Sequence, residues 1–490
     1  MSAVVGAVTT VVPESASTGP RLGWLRDRGM GASILVAALS SAFGVVLVEA
    51  TAYIGAMLRA DPYIGDSGTL AAVVAILSVL LVGVALYVAA IVTANTFATI
   101  VAGRTRRIAL MRLIGATARS QRTQVAGHGF IVGVLGALIG VVVGLAVSAV
   151  GLSLAERVLG SVPDATLAQP AILIPAVGVA LTTWMAAWIG SRRVLSVTPL
   201  QAIAGSVERS HEDAAARPAR HIGALLLLIL GAALLVFGVL VGLVTPLGVV
   251  VAFVGGLLSF TGLSLAAVLV MPPVLRLVGR LFGRSATARL AAENALRYPE
   301  RSSRMTIGVV MGVTLVTMFA VALESVKSLL TKAAGGELGT EFSAIMDGFA
   351  AVMMVLVGVS AVIAAVGLVN LLTIGVVQRR RELGLLRAIG LSNGQVRRMI
   401  LLEALHITLT ATATGLVLGV LYGWIAAQSL LGSVRMPPAF DQTAGIVAPA
   451  VPWLPVLIIL VATSLLTLVA AAVPTRLATR VAPVEALAVD

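Results

Sequence analysis

Few side chains in this chain could do covalent chemistry. Its 490 residues include no cysteine, which excludes disulfides, thiolate metal sites and cysteine nucleophiles. A phosphate-binding loop needs a lysine after glycine, and the two lysines, Lys327 and Lys332, follow other residues. The histidines form no recognisable ligand set, and neither a Gly-x-Ser-x-Gly nor a His-Glu-x-x-His motif occurs. The sequence predicts no catalytic residue, no metal site and no cofactor bound by this chain.

Four ionisable residues lie within or beside long apolar runs, where a charge is costly and often functional. Glu49 and Glu324 fall late in two such runs, while His128 and Glu403 fall near the start of two others. We take these four as candidate intramembrane polar sites. The first pair could face each other or a substrate, or simply reach interfacial water.

Two polar segments repeat the same arrangement of arginines, leucine or isoleucine, and a final glycine. The residues that could receive force from a partner are Arg104, Arg106, Leu110, Arg112 and Gly115 in the first, and Arg379, Arg381, Glu382, Leu386, Arg387, Ile389 and Gly390 in the second. On a helix, Leu383, Leu386 and Ile389 are predicted to form an apolar strip that fits a partner's groove. A simpler interpretation is that the arginines anchor the chain to anionic headgroups, at about 1 kcal/mol each.

Capping chemistry follows the second glycine. Gly390 predicts a helix end, and Ser392 with Asn393 predicts the start of the next helix. Thr117 and Ser120 follow Gly115 in the same way. Each segment is therefore expected to be a short rigid helix that stops at its glycine.

The elements that must position these residues are membrane helices. Hydrophobic residues make up 59% of the chain, charged residues 11%, and the mean hydropathy is +1.06. Runs of about 20 apolar residues are long enough to cross a bilayer. The sequence predicts ten spans, at 31–56, 71–95, 126–151, 170–190, 222–243, 247–271, 306–325, 348–376, 399–428 and 452–473.

Charge asymmetry gives these spans an orientation. With the N-terminus in the cytoplasm, 29 of the 34 basic residues lie in inner segments, and both termini are cytoplasmic. The net charge of +13 is then explained by topology, and no nucleic-acid partner is required. We expect a multi-pass protein of the cell membrane.

The chain also repeats itself. An offset of 275 in the numbering superposes Arg104 on Arg379 and Gly115 on Gly390, and further on the offset becomes 284. The offset of 275 also pairs Glu49 with Glu324 and His128 with Glu403. Small residues spaced for close helix contacts occur in both halves, at Gly136, Gly140, Gly144, Gly415, Gly419 and Gly423.

The run from Arg379 to Gly390, followed by an apolar span from Leu401, resembles the signature of the FtsX/MacB-like permeases, the membrane subunits of one class of ABC transporters. The segment 293–299 is similar to the amphipathic opening of that family's repeat, and 482–486 to its C-terminal ending. The first half departs from the pattern, with Arg107 in place of Glu382 and Gln201 in place of Glu485.

The resemblance implies a four-span unit used twice, with the loop between its second and third spans docking on a nucleotide-binding subunit. It implies two copies of a separate ATPase per chain, with ATP and Mg²⁺ bound by that partner. Family members usually carry a large extracytoplasmic domain, whereas the outer loops here are about 20 residues at most.

The expected fold is an all-α integral membrane protein of about ten helices, with two parallel four-span repeats joined by a two-span hairpin. The predicted units are a first repeat at 1–205, a cytoplasmic linker at 206–221, a two-span connector at 222–275 and a second repeat at 276–490. A single chain would act as a pseudo-dimer embedded in membrane lipid.

The favoured function is ATP-driven extrusion of a hydrophobic or amphipathic compound, such as a peptide antibiotic, a lipid or a drug-like molecule. One alternative is a mechanotransmitter that signals across the membrane or regulates a cell-envelope enzyme without moving cargo. Another is a secondary transporter driven by an ion gradient, which the scarcity of buried ionisable groups disfavours.

Overall fold

The computed structural model describes most of the ten apolar runs, and the regular secondary structure in the described part is helical. The described residues are 30–60, scattered positions within 75–94, 111, 115–159, 169–192, 218–280, 285–297, 299–333, 385–434 and 445–480. Nine α-helices are bounded among them: α1 (Met30–Ala60), α2 (Ala118–Leu159), α3 (Leu173–Gly190), α4 (Pro218–Gly242), α5 (Gly248–Gly279), α6 (Ala286–Arg297), α7 (Pro299–Ala333), α8 (Asn393–Leu431) and α9 (Trp453–Arg480). A 3-10 turn, Pro170–Ile172, leads into α3.

Seven of these helices, all but α6 and α9, are long and apolar enough to cross a membrane. They coincide with seven of the ten predicted spans. The predicted span at 452–473 falls in α9, which contains a shorter apolar stretch, Trp453–Leu465. The span at 71–95 is described only in part, and the span at 348–376 lies outside the described residues.

Two helix pairs, α1 with α2 and α7 with α8, approach closely at glycines. A Cβ atom at Gly144 would lie 3.0 Å from the Ala42 carbonyl oxygen, and one at Gly419 would lie 2.9 Å from that of Thr314. The other four predicted glycines also meet the partner helix at distances no side chain tolerates. The prediction of close helix contacts is therefore confirmed, and α3 and α9 pack beside their respective pairs.

The glycine contacts also define the register of the two helices within each pair, and this register differs between the pairs. Gly140 faces the Ala38 carbonyl and the Ser41 side chain, whereas Gly415 faces the Val310 carbonyl and the Val313 side chain. The second helices of the pairs are thus related by an offset of 275 and the first helices by an offset of 272. The difference of three displaces α7 by almost one helical turn relative to the alignment by sequence.

Helices α4 and α5 form a tight hairpin that turns at Thr245 and Pro246. Gly231 and Gly238 contact the backbone at Ser259 and Ala252, and Gly255 approaches the Gly231 carbonyl in return. Small residues seven positions apart let the two backbones approach over their full length. The opposite face of α4 exposes large aliphatic side chains, as expected for contact with lipid.

Helix α5 contacts both halves of the chain through tyrosines. Tyr87, from the predicted second span, donates to the Leu257 carbonyl (3.1 Å) and lies 2.8 Å from the Thr261 hydroxyl. Tyr422 of α8 lies 2.8 Å from the Ser259 hydroxyl. The core around these contacts includes Val36 and Val310, so the connector joins the halves into one buried cluster.

A short segment, 445–452, closes one end of α7 and α8; we call it the end strap. The Gln428 side chain donates to the Gly445 carbonyl (2.8 Å) and accepts from the Val447 amide (2.7 Å). Trp424 Nε1 donates to the Val447 carbonyl (2.8 Å), and the Ala450 amide donates to Ser325 Oγ (3.1 Å). These bonds satisfy backbone groups of the buried Val447 and of the half-buried Gly445 and Ala450.

Candidate functional site

The second arginine segment ends in a well-formed helix corner. Gly390 has φ of 111°, a conformation that favours glycine. Its amide donates to the Arg387 carbonyl (3.1 Å), and the Leu391 amide donates to the Leu386 carbonyl (3.1 Å). These two bonds define a Schellman motif, so the predicted helix end at Gly390 is confirmed.

The first segment ends in the same way. Gly115 has φ of 104°, and the Ala116 amide donates to the Met111 carbonyl (2.9 Å). The offset of 275 relates Met111 and Ala116 to Leu386 and Leu391. The two corners are therefore matched in backbone geometry as well as in sequence.

Each corner leads directly into a capped membrane helix. Ser392 Oγ accepts from the Gln395 amide (3.3 Å), and Gln395 Oε1 accepts from the Ser392 amide (2.9 Å), which together form a capping box. At the first corner, Thr117 Oγ1 accepts from the Ser120 amide (3.1 Å). A short turn between helix end and helix start gives a rigid joint with little freedom to absorb a displacement.

The apolar side chains at the second corner point in two directions. Leu386 packs with Leu391 against a buried cluster of Ala291, Val396, Met399 and Ile400. Ile389 is 71% exposed, and Leu385, four residues before it, is 51% exposed. In the described part of the predicted strip, Leu386 and Ile389 therefore do not share a face, because Leu386 holds the corner to the protein while Leu385 and Ile389 form an exposed ridge. Leu383, the third residue of the strip, lies outside the described residues.

Helix α6 supports this corner from the side. Its alanines Ala288, Ala291 and Ala295 are buried, and α6 packs along the start of α8. Its opposite face carries the exposed pair Arg289 and Glu293, 3.9 Å apart. The predicted amphipathic opening of the second repeat thus lies against the corner.

Several predicted coupling residues cannot be placed. Arg104, Arg106, Leu110, Arg112, Arg379, Arg381 and Glu382 lie outside the described residues. Arg387 is described and is half-buried at the corner.

The candidate intramembrane residues differ in burial. Glu49 and Glu403 are each only 8% exposed, whereas Glu324 and His128 are half-buried. By the contact register, Glu49 corresponds to Val321, and Glu324 to Ala52. The two carboxylates are therefore offset by three residues in the contact register. That they face each other or a substrate stays a prediction.

A buried contact that the sequence did not indicate lies near Glu403. His406 is fully buried, and its Nε2 donates to the Leu275 carbonyl (2.8 Å) in α5. Pro272 and Pro273 interrupt the backbone bonds of α5 just before this point. The histidine thus ties the end of the connector to α8 on the side of the corners.

The match to a known family falls in two separate parts of the chain. The family model described as FtsX-like permease C-terminal matches residues 79–199 and 354–483, together just over half of the chain. The starts of the two matches differ by 275 in the numbering and their ends by 284, the offsets at which the chain repeats itself.

Curated relatives match over shorter lengths. The chain is 32% identical over 130 residues to the macrolide export ATP-binding/permease protein MacB of Shewanella oneidensis, covering 26% of this chain and 18% of the relative. It is 31% identical over 87 residues to the ABC transporter permease YtrF of Bacillus subtilis, covering 18% of this chain and 19% of the relative. The chain therefore spans less than a fifth of the length of these relatives.

Proposed function

The chain belongs to the FtsX-like permease family, and on that premise we propose that it is the membrane-spanning permease subunit of an ATP-driven ABC transporter that exports a hydrophobic or amphipathic compound. The two repeats, 1–205 and 276–490, would form a pseudo-dimer of ten spans with the connector between them. Both termini and both corners would face the cytoplasm, as the distribution of arginines indicates.

The observation that carries this proposal is the exposed ridge of Leu385 and Ile389 on a rigid corner. Two aliphatic side chains one helical turn apart, outside any apolar core, suit insertion into a groove on a soluble partner. The Schellman motif and the capping box fix the ridge relative to α8. A push on the ridge would therefore move the membrane helix rather than bend a loop.

The energy would come from outside the chain. Two copies of a soluble ABC ATPase, one beneath each corner, would bind ATP and Mg²⁺ and close on each other. The matched geometry at Gly115 and Gly390 supports two equivalent docking points. The permease itself would bind no nucleotide, in accord with its lack of a phosphate-binding loop.

The interior supports a cargo with few polar groups. Among the described residues of α1 and α7, the fully buried polar groups in mid-helix are hydroxyls, notably Ser40, Ser41, Thr314 and Thr317. Hydroxyls offer hydrogen bonds but no charge, so a lipid-like or macrolide-like molecule fits better than an ion. The relative MacB, whose name records macrolide export, supports the same class.

Co-purification tests the docking ridge. An affinity-tagged chain is extracted from membranes of cells that co-express each ABC ATPase encoded beside it, and the bound ATPase is quantified. Ile389→Asp should reduce the bound ATPase to half or less, because the carboxylate would have to be buried in the partner's groove at the second corner. Ile446→Asp, at a site in the end strap that is also exposed (83%), is the matched control and should bind the ATPase as the unaltered chain does. Equal binding by both variants would contradict the proposal.

Transport distinguishes export from the signalling alternative. The assembled complex is placed in inside-out vesicles with a fluorescent amphipathic substrate and ATP. Export predicts ATP-dependent uptake that Ile389→Asp removes. ATP turnover without uptake of any substrate tested would favour a mechanotransmitter instead.

A further inference from the structure

Two arginines converge on one tryptophan at the end of α3. The Arg122 guanidinium carbon lies 3.8 Å from the centre of the Trp188 ring, and that of Arg192 lies 5.3 Å from it. Arg122 Nη2 also donates to the Trp188 carbonyl (3.4 Å). Stacking on the ring fixes the Arg122 guanidinium while leaving most of its donors free. We call these three residues the arginine–tryptophan cluster.

No negative charge balances this cluster within the part of the chain that the structure describes. Among those residues, no carboxylate lies within ion-pair distance of Arg122 or Arg192, and the buried Nε of Arg122 finds no acceptor there. The sequence around them is also devoid of carboxylates, since neither 67–155 nor 165–207 contains an Asp or Glu. Two positive charges near one ring therefore favour binding of an anion that this part of the chain does not supply.

The backbone adds to the positive field. Arg122 lies in the second turn of α2, which begins at Ala118 after the Gly115 corner. The unpaired amides of a helix start carry a partial positive charge. The cluster is thus a short distance from the first corner and on the same side of the membrane.

The position of the cluster identifies the source of the anion. Trp188 ends the membrane-spanning stretch Pro170–Gly190, and Trp184, Met185 and Ile189 beside it are 41%, 54% and 48% exposed. Exposed apolar side chains on a membrane span face lipid, and tryptophan favours the level of the headgroups. We propose that the arginine–tryptophan cluster binds the phosphate of an anionic phospholipid in the leaflet on the side of the corners.

This site belongs to one repeat alone. By the offsets of 275 and 284, Arg397 corresponds to Arg122 and Ala472 corresponds to Trp188. Arg397 is exposed, and the residue at the position of the ring is an alanine, which offers no surface for stacking. A lipid bound beside the first corner would therefore make the two corners unequal, with the first docked to the membrane surface and the second braced by α6.

Native mass spectrometry of the purified full chain tests the site. The detergent-solubilised protein is titrated with phosphatidylglycerol and, separately, with phosphatidylcholine. Phosphatidylglycerol should bind preferentially, and Arg122→Gln and Arg192→Gln should each weaken it by about tenfold, the effect of losing one charge-assisted contact. Arg397→Gln is the matched control and should bind as the unaltered chain does.

Three results would overturn the assignment. The first is equal weakening by Arg397→Gln, and the second is equal binding of phosphatidylcholine. The third is displacement of the lipid by millimolar inorganic phosphate, which would identify a site for soluble phosphate. If Arg122→Gln fails to fold, Arg192→Gln decides the matter, because it leaves the Arg122–Trp188 contact in place. The assay contains no ATPase, so its outcome is independent of the proposed transport function.

Discussion

The pairs α1–α2 and α7–α8 pack alike, yet their surroundings differ. In both pairs, glycines spaced four apart meet the facing backbone, and in both, a left-handed glycine joins the second helix to the arginine segment. Among the described residues, only α7–α8 has the end strap across one end and α6 against the other. The connector α5 packs directly on α7 and α8, and it reaches the first half through Tyr87.

This comparison separates the features that both helix pairs share from those that one pair has alone. The glycine contacts and the corners occur twice, so they belong to the repeating unit itself. The strap and the α6 brace occur once in the described part of the chain, and they make the second pair the more firmly held. We therefore expect the first pair to move more when force reaches the corners.

The largest expected effect is on the shared glycine contacts. Gly144→Leu and Gly419→Leu should each destabilise the chain by about 3 kcal/mol, because a side chain cannot fit without separating the helices. Thermal unfolding in detergent, followed by tryptophan fluorescence, measures the change. Gly151→Leu is the control and should be nearly neutral, since a Cβ there meets nothing within 4 Å. A large effect in one repeat only would show that the pairs are not equivalent.

The next effect concerns the strap. Gln428→Ala leaves the buried Val447 amide and the Gly445 carbonyl without partners, at about 2 kcal/mol. Hydrogen exchange should rise in 445–452 and at the adjoining end of α8, with little change in α2. Ser153→Ala, at the counterpart of Gln428 in the first repeat, removes a hydroxyl bonded only within its own helix (2.8 Å) and should have no effect. Equal changes in hydrogen exchange in the Gln428→Ala and Ser153→Ala variants would contradict a stabilising role for the strap.

The corners should show a smaller and symmetric effect. Gly390→Ala and Gly115→Ala should each cost about 1–2 kcal/mol, because alanine is strained at a positive φ. Gly394→Ala, inside α8, should instead be neutral or stabilising by up to about 1 kcal/mol. Thermal unfolding decides between these signs, and a neutral Gly390→Ala would contradict the corner geometry.

The smallest effect is expected at the tyrosines of the connector. Tyr87→Phe and Tyr422→Phe should each cost about 1 kcal/mol through loss of one hydroxyl contact. Tyr87→Phe should loosen the first half from α5, which limited proteolysis would detect as faster cleavage of the chain. Equal cleavage rates in the Tyr87→Phe and Tyr422→Phe variants would show that α5 holds the two halves equally firmly.

The sequence predicted the features that depend on short spacing. Glycine periodicity indicated the close helix contacts, and Gly390 followed by Ser392 and Asn393 indicated a helix end followed by a cap. Both follow from local backbone chemistry, so they need no knowledge of what packs where.

The sequence did not predict the features that depend on helix rotation and loop length. Residues three apart differ by about 60° around a helix, enough to turn Leu386 inward and Ile389 outward. The slip of α7 by three residues arises before the matched family segment begins, and an alignment without gaps conceals it. The contacts of His406, Trp188 and Tyr87 join positions far apart in sequence, which spacing alone does not reveal.

The central claim is that force enters through two matched corners, and one distance tests it most directly. The chain has no natural cysteine, so Arg119→Cys and Gly394→Cys, one beside each corner, accept two spin labels without background. Pulsed electron–electron double resonance on the complex with the proposed ATPase then gives the separation of the two labels in nucleotide-free and ATP–vanadate states. We expect the main distance to shift between the two states, and Ile389→Asp should abolish this shift. An unchanged distance in a complex that hydrolyses ATP would contradict it.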